Sequence, residues 1–211
     1  MTPNTDHVVR ADRDGELGAL YGRATVLVAD GMPVVWASRL LGSALPERVA
    51  GVDLMHAVAA GLARRGGSAF LLGGTEACVA AAARGLEALH PGLRIAGTHQ
   101  GFFRPDDPAV LRAVNDTEPD ALLVGMGSPR QERWVVRHAD GLVPRIVLCI
   151  GGGLEVVAGE RRRAPRWMQR TGLEWGFRLA QEPGRLWRRY LVEDAAFVPV
   201  VYREWRSRRL H

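Results

Sequence analysis

The sequence predicts an α/β fold in which helices cover both faces of a mostly parallel sheet, followed by a basic helical appendage. Short, β-rich apolar runs that end in Gly, Asp or His alternate with longer stretches of helical spacing. Such alternation joins parallel strands through helical crossovers, so the sheet lies between two helix layers in a Rossmann-like plan. Composition then shifts near residue 160, where Arg and Trp become frequent. The expected division is a body over residues 1–160 and an Arg/Trp-rich appendage over residues 161–211.

Residues 25–29 read as the first strand, ending at Asp30-Gly31, with a helix expected over 34–41. Asp53 suits the N-cap of a helix carrying Leu54, Val58 and Leu62. Residues 68–72 form the next apolar run, and the Ala-rich stretch 76–89 is the helix behind it. Runs at 94–98, 121–125 and 146–150 complete the sheet, with helices over 109–114 and 131–138. In open parallel sheets ligands bind beyond the carboxyl ends of the strands. The loops there are rich in glycine: Gly73-Gly74-Thr75, His99-Gln100-Gly101, Gly125-Met126-Gly127-Ser128-Pro129 and Gly151-Gly152-Gly153. Glycine lets a backbone come close to a phosphate and aim N–H groups at it.

Of 211 residues, 47% are apolar and 24% charged, which fits a globular chain and excludes disordered or collagen-like classes. Cys78 and Cys149 lie far apart in apolar surroundings, with neither disulfide-framework nor zinc spacing, as expected in a reducing compartment. No apolar run reaches the roughly 18 residues of a membrane span, and Asp6, Asp12, Asp14 and Glu16 are unlike a signal peptide, so a cytoplasmic protein is expected. All 28 basic residues are Arg. Residues 161–211 hold 13 of them against five acids, whereas the first 160 residues hold 15 against 18. Trp167, Trp175, Trp187 and Trp205 share that tail. Arg mixed with Trp, Tyr and Leu in short amphipathic segments suits an anionic membrane surface or another polyanion, while a solvated helix face is the plainer reading.

Partial motifs exclude other chemistries. Gly125-x-Gly127-x-x-Arg130 lacks the third glycine of a dinucleotide fingerprint, and a chain without Lys has no Walker loop. Asp12-Arg13-Asp14 has the form of a metal grip but precedes the first clear strand, so it reads as solvated helix surface. His56 and His138 read as helix residues; His99, at a strand end, is the histidine placed to touch a ligand. No metal site and no cofactor is expected. A nucleic-acid-binding module is the competing reading of the Arg-rich tail, though no DNA or RNA motif accompanies it. A non-catalytic nucleotide-binding protein would use the same sheet.

Several blocks, in order along nearly the whole chain, resemble the WecG/TagA/CpsF glycosyltransferases. They are Thr2-Pro3-Asn4, Ala29-Asp30-Gly31-Met32, Pro46-Glu47-Arg48-Val49-Ala50-Gly51-Val52-Asp53, Phe70-Leu71-Leu72-Gly73-Gly74, Gly97-Thr98-His99-Gln100-Gly101-Phe102 and Gly125-Met126-Gly127-Ser128-Pro129-Arg130-Gln131-Glu132. Arg163-Ala164-Pro165-Arg166-Trp167 and Leu173-Glu174-Trp175 continue the match, followed by Arg178-Leu179, Glu182-Pro183 and Arg185-Leu186. The resemblance implies inverting transfer of a sugar, N-acetylmannosamine or a related hexose or uronic acid, from a UDP-sugar to a lipid-diphosphate-linked sugar in cell-surface polysaccharide or teichoic-acid synthesis. It places the enzyme peripherally on the inner face of the plasma membrane. Family members carry a further strand and helix before the Thr-Pro-Asn block, whereas this sequence opens one residue ahead of it. Either the natural start lies upstream or the sheet lacks an edge strand.

Inverting transfer needs a base for the acceptor hydroxyl and positive or N–H groups for the departing diphosphate. Asp30 is the base that the resemblance implies; capping the helix at 34–41 is its alternative role. Arg48 is expected on a phosphate or the donor sugar, and Thr2 and Asn4 on donor sugar or acceptor. Gln131, opening a helix after Gly-Ser-Pro-Arg, is expected on sugar or nucleotide. Gly151, Gly152 and Gly153 read as backbone room for uridine or diphosphate. The resemblance makes the tail a cover over the active site that touches membrane, with Arg178, Arg185 and Arg188 matching arginines placed to reach the diphosphate. Expected partners are thus the UDP-sugar, the lipid-linked acceptor and an anionic membrane surface, without nucleic acid; a homo-oligomer is compatible with the sequence.

Overall fold

The computed structural model describes residues 1–209, apart from the side chains of Arg170, Arg185 and Arg189. Along the chain run α1 (Thr5–Arg13), α2 (Gly15–Gly22), α3 (Met32–Leu40), α4 (Gly51–Ala63), β1 (Ser68–Gly73), α5 (Glu76–Leu89), β2 (Arg94–His99) and α6 (Pro108–Asn115). There follow β3 (Ala121–Gly125), α7 (Arg130–His138), β4 (Ile146–Cys149), α8 (Gly153–Val157), α9 (Arg166–Thr171), α10 (Glu174–Gln181), α11 (Pro183–Arg188) and α12 (Phe197–Arg209). The chain forms two compact units. One comprises Met1 with residues 51–162, the other residues 2–50 with 163–211.

The first unit is the α/β body. Its four strands are all parallel in the order β2-β1-β3-β4, with Ala69 opposite Ala121 and Ala121 opposite Ile146. Alternation along the two central strands loads both faces. Ala69, Leu71, Ala121 and Leu123 pack with Met55 and Ala59 of α4, Val79 and Leu86 of α5, and Leu154 of α8. Phe70, Leu72, Leu122 and Val124 pack with Val110 and Val114 of α6 and Trp134 of α7. A strand buried on both faces needs the near-continuous apolar runs that the sequence carries here. Strand order reverses between β1 and β3, opening a crevice at their carboxyl ends. Two glycines make the close approach there: a Cβ on Gly73, at φ +147, would lie 2.3 Å from the Gly125 carbonyl oxygen.

The second unit is helical. Asn4 caps α1, Asp14 caps α2, and α12 returns to this N-terminal segment. Arg203 pairs with Asp12, and Arg208 donates to the Leu41 carbonyl at 3.0 Å and to Ser43 at 3.1 Å. Residues 2–50 thus group with the tail and not with the sheet.

Two local expectations are corrected. Residues 25–29 belong to no strand of the four-stranded sheet, and Val26 and Leu27 are exposed. Bonds from Asp30 N–H to the Pro3 carbonyl and from Val49 N–H to the Ala29 carbonyl, both 2.9 Å, hold the segment where a ladder was expected. Asp53 does not cap α4: the helix begins at Gly51, so Asp53 sits in the first turn, where its charge suits the helix dipole.

Candidate active site

Within the helical unit a cavity of about 350 Å³ is lined by Asn4, Asp30, Arg48, Glu174, Trp175 and Arg178, with Tyr190 and Asp194 among its other walls. Asp30 follows segment 26–29, which belongs to no helix or strand. Gly31, the next residue, is the N-cap of α3. Asn4 lines the same cavity, yet its side chain already works in a capping box: Oδ1 accepts from His7 N–H at 3.3 Å, and Asn4 N–H donates to His7 Nδ1 at 3.0 Å. Thr2 is buried.

Glu174 organises the arginines. Arg48 Nη1 donates to Glu174 Oε2 at 2.7 Å, with the two side chains only 13% and 9% exposed. Arg178, one turn on along α10, lies 3.5 Å from Oε1, and Arg163 Nε lies 3.7 Å from it. One buried carboxylate therefore gathers guanidiniums from three separate segments. Arg48 is largely neutralised, while Arg178, about half exposed, is the more available cation facing the cavity. Arg188 lies elsewhere: its side chain is 74% exposed and sits 4.0 Å from Glu193. The side chain of Arg185 lies outside the described residues. The roles of Glu174 and Arg163 were not read from sequence; the one available signal was an acid amid the Arg-rich tail blocks.

The body carries the other expected residues, at the strand ends. Gln131 opens α7 as expected, just after the cis peptide bond Ser128–Pro129, but turns inward and is 2% exposed. Its Oε1 accepts Gly151 N–H at 3.1 Å, and its Nε2 donates to Glu132 Oε1 at 2.8 Å. Gly153 N–H is bonded to the Ile150 carbonyl, so Gly151 and Gly153 offer space more than donors. Gly152 precedes α8 as its N-cap. His99 donates from Nδ1 to the Gln100 carbonyl at 2.7 Å and meets Phe103 edge-on. Burial pushes the Glu132 carboxyl above its ordinary value and the Cys149 thiol up to about 12, so the thiol is neutral protein interior and not a nucleophile. Cys78 is raised to about 11, by burial first and by Glu160 second.

A cleft-facing carboxylate beside arginines can take a proton from a hydroxyl and stabilise an anionic leaving group. Comparison with known proteins identifies the family. The sequence model of the Glycosyl transferase WecG/TagA/CpsF family matches residues 1–211. Among curated relatives, the N-acetylglucosaminyldiphosphoundecaprenol N-acetyl-beta-D-mannosaminyltransferase of Staphylococcus aureus strain MW2 is 34% identical over 89% of this chain and 74% of its own. The protein of that name from strain NCTC 8325 / PS 47 is also 34% identical, over 84% and 70%. That of strain MRSA252 is 33% identical over the same shares. A match over the whole chain, together with relatives at this identity, makes the chain a member of the WecG/TagA/CpsF family of glycosyltransferases.

Proposed function

We propose that this enzyme moves N-acetylmannosamine, or a closely related sugar, from a UDP-sugar to a lipid-diphosphate-linked N-acetylglucosamine, with inversion, in the synthesis of a cell-wall polymer. The observation that carries this reading is the cavity in which Asp30 shares walls with Arg48, Glu174 and Arg178. Asp30 takes the proton of the acceptor hydroxyl as its oxygen bonds to the anomeric carbon. The bond from that carbon to the UDP oxygen breaks on the opposite face, and the charge left on the diphosphate falls to arginines. Arg178 is the first of these, and Arg185 and Arg188 are assigned to the same diphosphate. Taken by itself, the body has glycine-lined room for a nucleotide at its strand ends, and the proposed reaction requires no metal ion or cofactor.

The acceptor lipid asks for a membrane surface, and the helical unit suits one. Trp36 and Leu40 of α3, Trp167, Trp175, Trp187, Leu191, Val192, Val198 and Tyr202 are exposed amid the arginines of the tail. Among the described residues no helix is long and apolar enough to cross a membrane. The attachment we propose is peripheral, on the cytoplasmic face where a UDP-sugar is available. The test is turnover by the purified protein on a short-chain lipid-diphosphate N-acetylglucosamine with a panel of UDP-sugars. A glycosylated lipid with the inverted anomeric configuration is expected, and no product from any donor would defeat the reading.

A further inference from the structure

Gln131 and Glu132 are consecutive residues at the start of α7, and both are 2% exposed. Adjacent positions on an α-helix point about 100° apart, and the buried face of α7 is wide enough to take two such pairs, Gln131 with Glu132 and Trp134 with Val135. Burying two adjacent polar side chains is costly unless both are hydrogen bonded. Here the bonds form one chain, from Gly151 N–H to Gln131 Oε1 and from Gln131 Nε2 to Glu132 Oε1. The chain has a single polarity. Rotated by half a turn, the Gln131 amide would set its NH₂ group against the Gly151 N–H and its oxygen against the Glu132 oxygen. Gly151, at φ +54, opens the turn between β4 and α8, so the anchor on its N–H fixes the course of that turn.

We propose that Glu132 is a positioning residue: by accepting from Gln131 it locks the amide that tethers Gly151, and so holds the turn 151–153 in the shape that receives the nucleotide. Its final step rests on the UDP reading of that turn. The chain demands of residue 132 only an acceptor oxygen, which a neutral carboxyl supplies as well as a carboxylate does. Its surroundings favour the neutral form. Burial is the largest influence and raises the carboxyl; the Gln131 amide, the residue's own backbone, the Ser128 hydroxyl and the Met1 amino group oppose it. The Cys149 thiol, which faces Glu132 from β4, is itself held neutral. Glutamine at 132 would keep the acceptor, whereas methionine fills the same space without one.

The experiment compares the full chain with Glu132→Gln and Glu132→Met. It follows amide hydrogen exchange at Gly151 by NMR, referenced to the amides of Leu71 and Leu123 in the core, and UDP affinity by calorimetry. Losing a hydrogen-bonded tether of about 1.4 kcal/mol corresponds to tenfold. In Glu132→Met, Gly151 is expected to exchange about tenfold faster and UDP to bind about tenfold more weakly. Glu132→Gln is expected to restore both to within about threefold. Unchanged Gly151 exchange in Glu132→Met overturns the proposal. So does a Glu132→Gln variant that behaves like Glu132→Met, because an ionised carboxylate would then be what the site needs. Faster exchange with unchanged UDP affinity leaves the tether standing and defeats only the nucleotide reading of the turn.

Discussion

At the scale of single residues, Asp30 and Glu174 divide the work of one cavity. In the proposed mechanism Asp30 is the base, and Gly31 stands at the N-cap of α3, so Asp30→Asn tests that role. Turnover is expected to fall by roughly 10² to 10⁴, with UDP-sugar affinity within a few-fold and the melting temperature unchanged; an effect confined to KM would exclude the base role. Glu174 bonds to Arg48 where both are buried, and truncating one partner of such a pair strands the other charge. Arg48→Ala is expected to cost about 3 kcal/mol in chemical denaturation, the low end of the usual range because Arg163 and Arg178 still face Glu174. Glu132 gives a pH signature. Unfolded, it ionises near its ordinary 4.5; folded, burial holds it higher. Stability from this group is full below about pH 4.5 and drains as pH rises toward the folded value. Glu132→Gln does not titrate, so its melting temperature minus that of the wild type should climb between about pH 4 and pH 7. A flat difference across melts in that range would mean the carboxyl is not raised.

Among the elements, legibility followed how locally each was specified. The two central strands were readable because burial on both faces demands unbroken apolar runs, and the glycines that close them marked their carboxyl ends. Residues 25–29 carry a similar apolar run, but a strand also needs a neighbour, and what lies beside a segment is a long-range fact that composition does not encode. Gln131 shows the same limit at the site: the Gly-Ser-Pro-Arg block announced a helix start, while the inward turn of the side chain depends on Gly151 twenty residues later. The grouping of 2–50 with the tail was hidden too, because Arg203 with Asp12 and Arg208 with Leu41 join segments far apart in sequence. The amphipathic tail was legible as composition, and its exposed side chains give an element-scale test. Trp187, Leu191 and Val198 are each at least half exposed, so replacing all three by Ser should leave the fold's stability nearly unchanged. Binding to phosphatidylglycerol vesicles is expected to drop by about tenfold or more for each large side chain that would have entered the interface, and what remains should weaken with salt. Equal binding by variant and wild type would move the membrane face elsewhere.

For the molecule as a whole, the proposed transfer from a UDP-sugar raises the question of how the chain would supply positive charge to a departing diphosphate. Enzymes do so with a divalent cation held by carboxylates, or with fixed guanidinium and N–H donors. The carboxylates most open to a metal role have other employment here: Asp14 caps α2, Asp107 caps α6, Asp12 pairs with Arg203, and Asp106 faces Arg104 at 3.8 Å. Arginine is abundant, its planar fork fits phosphate oxygens in pairs, and two of the guanidiniums that Glu174 holds, those of Arg48 and Arg178, line the cavity that Asp30 shares. Transfer is therefore expected to proceed at an unchanged initial rate in excess EDTA and to gain nothing from added Mg²⁺ or Mn²⁺. Arg178→Ala should instead lower turnover by about 10-fold to 100-fold, the worth of one charge-assisted hydrogen bond of about 1.5 to 3 kcal/mol, while Arg178→Lys keeps the charge but loses the fork and recovers only part of it. Abolition by EDTA with rescue by Mn²⁺ would reverse the assignment, and one of the carboxylates now serving as a cap or an ion-pair partner would have to leave that role to hold the ion.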